Sequence, residues 1–327
     1  MKRLGILAVV VILLGGIVYV LQKNRKDPDT NIDRAESNFR IENPLTIGRI
    51  ILTNKNGSRS DLKRVGDRWT INDQYKARQS SVDVLLTGIQ RQNLDHIPNR
   101  AAIEDILKTM ATSGIHVEIF DLAGKPLLSY YVGGVTQDEY GTFFLKEGSS
   151  QPYCLNLPGF DGSLRPRYAL QPLDWRDVRF WMEDNEKIDS MIVDYPQQHA
   201  AAFIINKKGI GYDVEPLYST TPIKKGQTTN LVKSYMTNLS GLACEDYLND
   251  MPNKDSILQM QPFMEMKIIY PDKQSRIRFY PVGLPGDSEF SSPYSHYYID
   301  YEGRDFMLAQ YEVIKPAFRS YEYFFSK

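Results

Sequence analysis

The sequence predicts an α+β protein: two tandem related units, each a mainly antiparallel sheet with one or two helices, behind an amino-terminal transmembrane helix. Three observations predict it. Short runs of alternating apolar and polar residues, bounded by turn residues, recur along most of the chain and read as strands with one buried and one wet face. Each half carries one apolar pattern at i, i+3, i+4 and i+7, the spacing of an amphipathic helix. These blocks occur twice in the same order, which is the mark of a duplication.

The chain begins with an anchor. Leu4 to Leu21 is an uninterrupted, uncharged apolar run of 18 residues, close to the roughly 20 needed to cross a bilayer as a helix. It ends Val18-Tyr19-Val20-Leu21, without a small-x-small cleavage site, and no cysteine follows it, so residues 1–22 read as an uncleaved signal anchor. Lys23, Arg25 and Lys26 beyond the run oppose Lys2 and Arg3 before it. The short flank and large polar body nonetheless predict a single-pass protein of the bacterial inner (cytoplasmic) membrane with an extracytoplasmic body. Residues 23–44 are polar, contain Asp27-Pro28-Asp29 and read as a stalk.

The first unit, 45–182 with its connector, opens on Ile47-Gly48-Arg49-Ile50-Ile51-Leu52. The second, 183–327, opens on Ile188-Asp189-Ser190-Met191-Ile192-Val193. A second strand follows in each, with Leu62 matching Phe203, and then a third, Trp69-Thr70-Ile71 against Tyr212-Asp213-Val214. The helix comes next: Val82, Leu85, Leu86 and Ile89 match Val232, Tyr235, Met236 and Leu239 at identical spacing. Val117–Phe120 then parallels Met266–Ile269, and Leu128–Tyr131 parallels Ile277–Tyr280, with Gly133 and Gly283 closing both. Finally Tyr140–Leu145 parallels Tyr294–Ile299, and Tyr153-Cys154-Leu155 parallels Phe306-Met307-Leu308.

Composition excludes several function classes. With 39 Lys plus Arg against 40 Asp plus Glu, the chain lacks the basic excess of a general nucleic-acid binder. Two cysteines and four histidines leave little material for a disulfide scaffold or a dense metal cluster. The duplication acts as a control on individual residues. Cys154 aligns with Met307 and Cys244 with Leu94, so both read as small core residues, with a Cys154–Cys244 disulfide left open for an oxidising compartment. His116 faces Glu265, His96 falls near Asp246, His199 near Ser58, and His296 faces Thr142, so no histidine recurs. No metal-ligand spacing, nucleophile elbow or phosphate loop occurs, and Asp184, Glu186 and Asp189 read as a solvated loop. The expectation is a protein with no catalytic, cofactor-binding or metal-binding residues.

Two segments are candidates for an interaction surface. The connector carries Arg165, Arg167, Trp175, Arg176 and Trp181, which are residue types enriched at binding hot spots, although they also suit a packed linker. The strand from Phe290 to Tyr301 carries Tyr294, Tyr297 and Tyr298, which suit either ring stacking on a ligand or cross-strand packing.

Trp69-Thr70-Ile71, the helix from Val82 to Ile89, Val132-Gly133, Tyr140-Gly141-Thr142, Leu157-Pro158-Gly159-Phe160 and Trp175-Arg176-Asp177 together resemble the bacterial, uncharacterised, membrane-anchored family named domain of unknown function DUF 4340. The resemblance runs from about residue 45 to 325 and includes the single membrane helix. It implies no assigned activity and many members encoded beside gliding-motility-type ABC transporter components. The second copy departs from the pattern, with Tyr212 in place of the tryptophan and no Trp-Arg-Asp block. The expected function is a non-enzymatic envelope interaction or accessory module. Its expected partners are the lipid bilayer and an ABC-type transport complex, with no cofactor and no nucleic acid. A glycan- or ligand-binding module and an unrecognised hydrolase are the rival readings.

Overall fold

A computed structural model describes residues 36–181, 183–283 and 294–326. The anchor read at 1–22 and the stalk up to residue 35 lie outside the described residues, as do residues 290–293 of the tyrosine-rich segment. Among the described residues, no helix is long and apolar enough to cross a membrane. The architecture is α+β, built on two mainly antiparallel sheets.

The first compact unit ends at Trp175. Its strands are β1 (Ile47–Asn54), β2 (Arg59–Val65), β3 (Arg68–Ile71), β4 (Tyr75–Lys76), β5 (Asn93–His96), β6 (Ile115–Asp121), β7 (Pro126–Val135), β8 (Thr142–Lys146) and β9 (Tyr153–Asn156). They form one sheet in the order β4-β3-β2-β1-β6-β7-β8-β9-β5, every pair antiparallel. Its two longer helices are α1 (Gln79–Arg91) and α2 (Ile103–Ser113). Alternate strand residues, among them Ile50, Leu52, Leu62, Val117, Ile119, Tyr130, Val132 and Phe144, point to one face. There they bury Val82, Leu85, Leu86 and Ile89 of α1, a transfer that stabilises by about 1.5–3 kcal/mol per fully buried side chain.

The second unit, from Arg176, contains β10 (Ser190–Asp194), β11 (Phe203–Lys208), β12 (Gly211–Pro216), β13 (Asp246–Tyr247), β14 (Met264–Ile269), β15 (Gln274–Pro281), β16 (His296–Tyr301) and β17 (Asp305–Gln310). Its helices include α3 (Thr229–Leu239) and the short α4 (Lys254–Leu258). The sheet order is β12-β11-β10-β14-β15-β16-β17-β13. Set β4 aside, and this is the strand order of the first unit. Val232, Tyr235, Met236 and Leu239 are the buried face of α3, at the spacing of Val82, Leu85, Leu86 and Ile89.

Strand pairing corrects several of the residue matches. Ile50 pairs with Leu62 and its counterpart Met191 with Ile205, so Leu62 corresponds to Ile205, and Phe203 to Ser60. Val117 pairs with Tyr130 where Met266 pairs with Ile277, so β7 and β15 match two residues away from the Leu128–Ile277 alignment. A two-residue slide preserves the alternation, and the sequence pattern therefore does not register it. Val132 pairs with Phe144 where Phe279 pairs with Ile299, a one-residue correction that comes with a register break between Val132 and Val135. Cys154 then corresponds to Leu308 rather than Met307, because each faces Phe143 or its equivalent Tyr298.

Two boundaries also move. The end of the stalk belongs to the first unit: Phe39 is buried in its core, Gln92 Nε2 donates to the Phe39 carbonyl, and Ile41 N–H donates to Ile89 O at 3.4 Å. The connector divides after Trp175, not after residue 182. Trp175 O accepts from Arg78 N at the start of α1, whereas Phe180 N–H donates to Leu242 O within the second unit.

Candidate functional site

Of the residues read as an interaction surface, Trp175, Arg176, Trp181 and Tyr297 are buried, whereas Arg165, Arg167, Tyr294 and Tyr298 are partly exposed. In the first unit, the Arg165 guanidinium donates to Val132 O at 3.1 Å, Gly133 O at 2.8 Å and Ser113 O, fastening the end of α2 to β7. Trp175 is 2% exposed and donates Nε1–H to Ala169 O. Arg167 lies over the Phe160 ring, 4.5 Å from its centroid, beside Trp175 in a depression of about 490 Å³ at the start of α1. In the second unit, Arg176 makes a two-pronged bond to Asp305 at 3.0 and 2.7 Å and covers the Tyr247 ring at 3.7 Å. Trp181 is buried and donates to Asn185 Oδ1. Tyr297 is 2% exposed, with Tyr294 edge-on to it and Phe318 packed against it. Tyr298 stacks on Phe306.

Trp175, Arg176, Trp181 and Tyr297 therefore present no recognition surface. Large aromatic rings and arginines gain from burial against their own fold as readily as against a partner's, and residue type alone does not separate the two. The Trp-Arg-Asp block is a packing motif: Trp175 seals one core, and Arg176 and Asp177 are held in the other, where Asp177 O accepts from Tyr247 Oη at 2.7 Å.

A second concavity lies elsewhere, on the face of the first sheet opposite α1. It is a cleft of about 430 Å³ bounded by α2, with Leu107, Met110 and Ala111 on the helix side. Thr53 of β1, His116 of β6, Tyr131 of β7 and Leu145 of β8 stand on the sheet side, and Lys55 at its rim. Thr53 pairs with His116, His116 with Tyr131, and Tyr131 with Leu145, so these four form one row across four strands.

Gly133 sets the distance from helix to sheet: a Cβ there would stand 2.8 Å from Met110 Cγ. Gly114 instead closes α2 itself, where a Cβ would stand 2.4 Å from Met110 O, the acceptor of Gly114 N–H. The bare backbone of Gly133 lets α2 sit low over β7.

The chemistry of the row is aromatic and weakly polar. The His116 ring stacks on Tyr131 with centroids 4.6 Å apart. Its Nε2 is 3.0 Å from Ser129 Oγ, while Glu118 lies 4.0 Å from Nδ1 and Glu147 3.7 Å from Nε2. The serine–imidazole distance is within reach for a nucleophile and its base. At 4.0 Å, however, Glu118 does not hydrogen-bond Nδ1, so no acid orients the ring as a hydrolytic triad requires. The pair instead gives the cleft a flat wall with exchangeable hydrogen bonds, facing the apolar side chains of α2.

The second unit replaces the same row by Asp194, Glu265, Arg278 and Asp300, again paired in sequence across four strands. Arg278 donates Nε and Nη2 to Asp300 Oδ2 at 3.0 and 2.8 Å, and the Asp300 side chain is fully buried. Tyr280 occupies the place of Gly133 and packs with Ile257 of α4 and Phe306, while Asp194 and Glu265 at the other end of the row line a smaller, more polar depression of about 290 Å³ with Leu217, Tyr218 and Lys267.

His116, Tyr131 and Leu107 carry no motif, because the cleft is assembled from one helix face and four strands. The one sequence signal was the opposition of His116 to Glu265 across the copies. Compared with protein-family models, curated proteins and solved structures, the chain matches none.

Proposed function

We propose that this chain is a non-enzymatic accessory module held at the envelope membrane by its amino-terminal segment. In this reading the first unit engages a protein partner of an ABC-type transport complex through the α2 cleft, and the second unit has a supporting role. The observation that carries it is the fate of one scaffold position in two copies: an open cleft of about 430 Å³ with a stacked His116–Tyr131 wall in one, a buried Arg278–Asp300 pair in the other. The second unit folds with Tyr280 where Gly133 opens the first, so the scaffold does not require a cleft of this size. The cleft's apolar helix side and flat aromatic wall suit an inserted apolar or aromatic side chain of a partner, the usual anchor of a binding hot spot. The family resemblance and the apolar run at 4–21 support the envelope location and the transport complex.

The test is affinity purification of the full chain from membranes in mild detergent, comparing the native protein with Tyr131→Ala and Leu107→Glu. Co-purification of a transporter permease or ATPase component, lost in both cleft variants and retained in the surface control Lys208→Ala, is the expected result. Recovery of the same proteins with and without the cleft residues would overturn the reading. A reporter fused after Lys327 is expected to be active only outside the cytoplasm.

A further inference from the structure

Edge strand β5 differs from its counterpart β13 in one respect. Leu94 pairs with Leu155 and His96 with Cys154, so two steps along β5 span one step along β9, and Asp95 is the extra residue of a β-bulge. A regular strand would send Asp95 and His96 to opposite faces. The bulge breaks that alternation and brings both side chains beside Cys154, so that a carboxylate oxygen, an imidazole nitrogen and the thiol sulfur all lie within 4.8 Å of one another. Cys154 is not in the apolar cluster of the first unit. Its neighbours Tyr153 and Leu155 are, and alternation puts Cys154 on the other face, with its sulfur against Gly141, where a Cβ would stand 2.3 Å away.

The surroundings are those of a cation site. Asn156 Nδ2 donates to Asp95 Oδ1 at 3.0 Å, fixing the carboxylate from outside, as the outer partners of metal ligands do. His96 Nδ1 is 2.7 Å from Asp95 Oδ2. Asp138, on the β7–β8 turn, adds a second negative charge whose field reaches both His96 and Cys154. Burial, reinforced by Asp95 and Asp138, pushes the Cys154 thiol up to about 12, so it is a poor nucleophile on its own. A divalent cation reverses that balance by ionising the thiol it binds. In the second unit Asp246 stands opposite Leu308 without a bulge, so the scaffold does not require the trio.

We propose that Asp95, His96 and Cys154 form a mononuclear site for a thiophilic, tetrahedrally disposed divalent cation of the zinc class, with the fourth position open to solvent. One thiolate, one imidazole and one carboxylate are the donor types that suit such an ion. Bond lengths of about 2.0–2.3 Å require only modest rotation of the two exposed side chains toward the fixed sulfur. On binding, the sulfur–metal bond forms and the thiol proton passes to solvent. The ion would tie edge strand β5 to β9.

Titration of the full-length, reduced, metal-free protein in detergent with Co²⁺ tests this. One equivalent is expected to give a thiolate-to-cobalt charge-transfer absorption that Zn²⁺ abolishes. Cys154→Ser should remove the band and Cys244→Ser should keep it. His96→Ala should weaken binding by more than about tenfold, and Asn156→Ala by about tenfold. Asp95→Asn, at an exposed side chain, guards against misfolding: it should retain the native circular dichroism and lose the upward shift in Tm caused by Zn²⁺. A band that survives Cys154→Ser, or the absence of any band in native protein with one equivalent of Co²⁺, would overturn the proposal.

Discussion

The row Thr53–His116–Tyr131–Leu145 in the first unit and the row Asp194–Glu265–Arg278–Asp300 in the second occupy the same four strands of the same fold. One lines a cleft of about 430 Å³; the other holds an ion pair between Arg278 and the fully buried Asp300, and lines a smaller depression of about 290 Å³ through Asp194 and Glu265. A position near the centre of a sheet face has two stable solutions: leave it concave with aromatic and apolar walls, or close it with a charge pair whose desolvation is offset by hydrogen bonds. The shared strand order separates features alike in both units, such as the buried faces of α1 and α3, from those that differ.

The largest expected effect comes from breaking the closed solution. Asp300→Ala leaves Arg278 without its partner and also removes the acceptor of Gly303 N–H at 3.1 Å. It should destabilise the second unit by about 3 kcal/mol in denaturant titration, the lower end of the range for a severed buried pair. An unchanged midpoint would mean that the pair does not hold the position closed.

Next in size is the approach of α2 in the first unit. Gly133→Ala drives a methyl into Met110 and should cost about 2 kcal/mol. Adding Met110→Ala should recover part of that loss, giving a double-mutant coupling of at least about 0.5 kcal/mol. Hydrogen exchange across residues 103–113 reads the same displacement.

Acid titration should affect the second unit through Glu183. Burial alone raises its pKa, but hydrogen bonds from Tyr270, Tyr301 and Ser275, with Lys273 nearby, outweigh burial and hold it below the ordinary 4.5. Stability from a depressed pKa is present above the unfolded value and lost as pH falls through the folded one. The second unit is therefore expected to weaken progressively below about pH 4.5, and Tyr301→Phe to flatten that slope. Tyr301 corresponds to Lys146 in the first unit, which lacks this arrangement.

The smallest stability effect, and the sharpest functional one, belongs to Tyr131→Ala. Loss of one stacked ring from a partly open wall should cost at most about 1 kcal/mol. Partner recovery should nevertheless fall sharply. A large loss of stability would make Tyr131 a core residue and remove the main contrast with the second unit.

Most of the architecture was legible in the sequence. The α1 and α3 faces follow from the spacing of Val82 to Ile89 and Val232 to Leu239, and strand alternation predicted the apolar faces. The functional readings were less legible. Trp175, Arg176 and Tyr297 carry side chains common at interfaces, yet each is buried in its own unit. Cys154 read as a small core residue because it aligned with the apolar Met307 of the second copy, and only the pairing of β9 with β5 gives it His96 as a neighbour.

The sequence by itself determined the elements, their order and their repetition, because helix and strand periodicity are local properties of consecutive side chains. The tertiary structure decided register, and with it every cross-strand neighbour. A strand slid by two residues keeps the same pattern of buried and wet positions while exchanging all its partners. The His116–Tyr131 wall, the Arg278–Asp300 pair and the bulge that gathers Asp95, His96 and Cys154 all depend on that choice. It is set by packing between segments far apart in the chain.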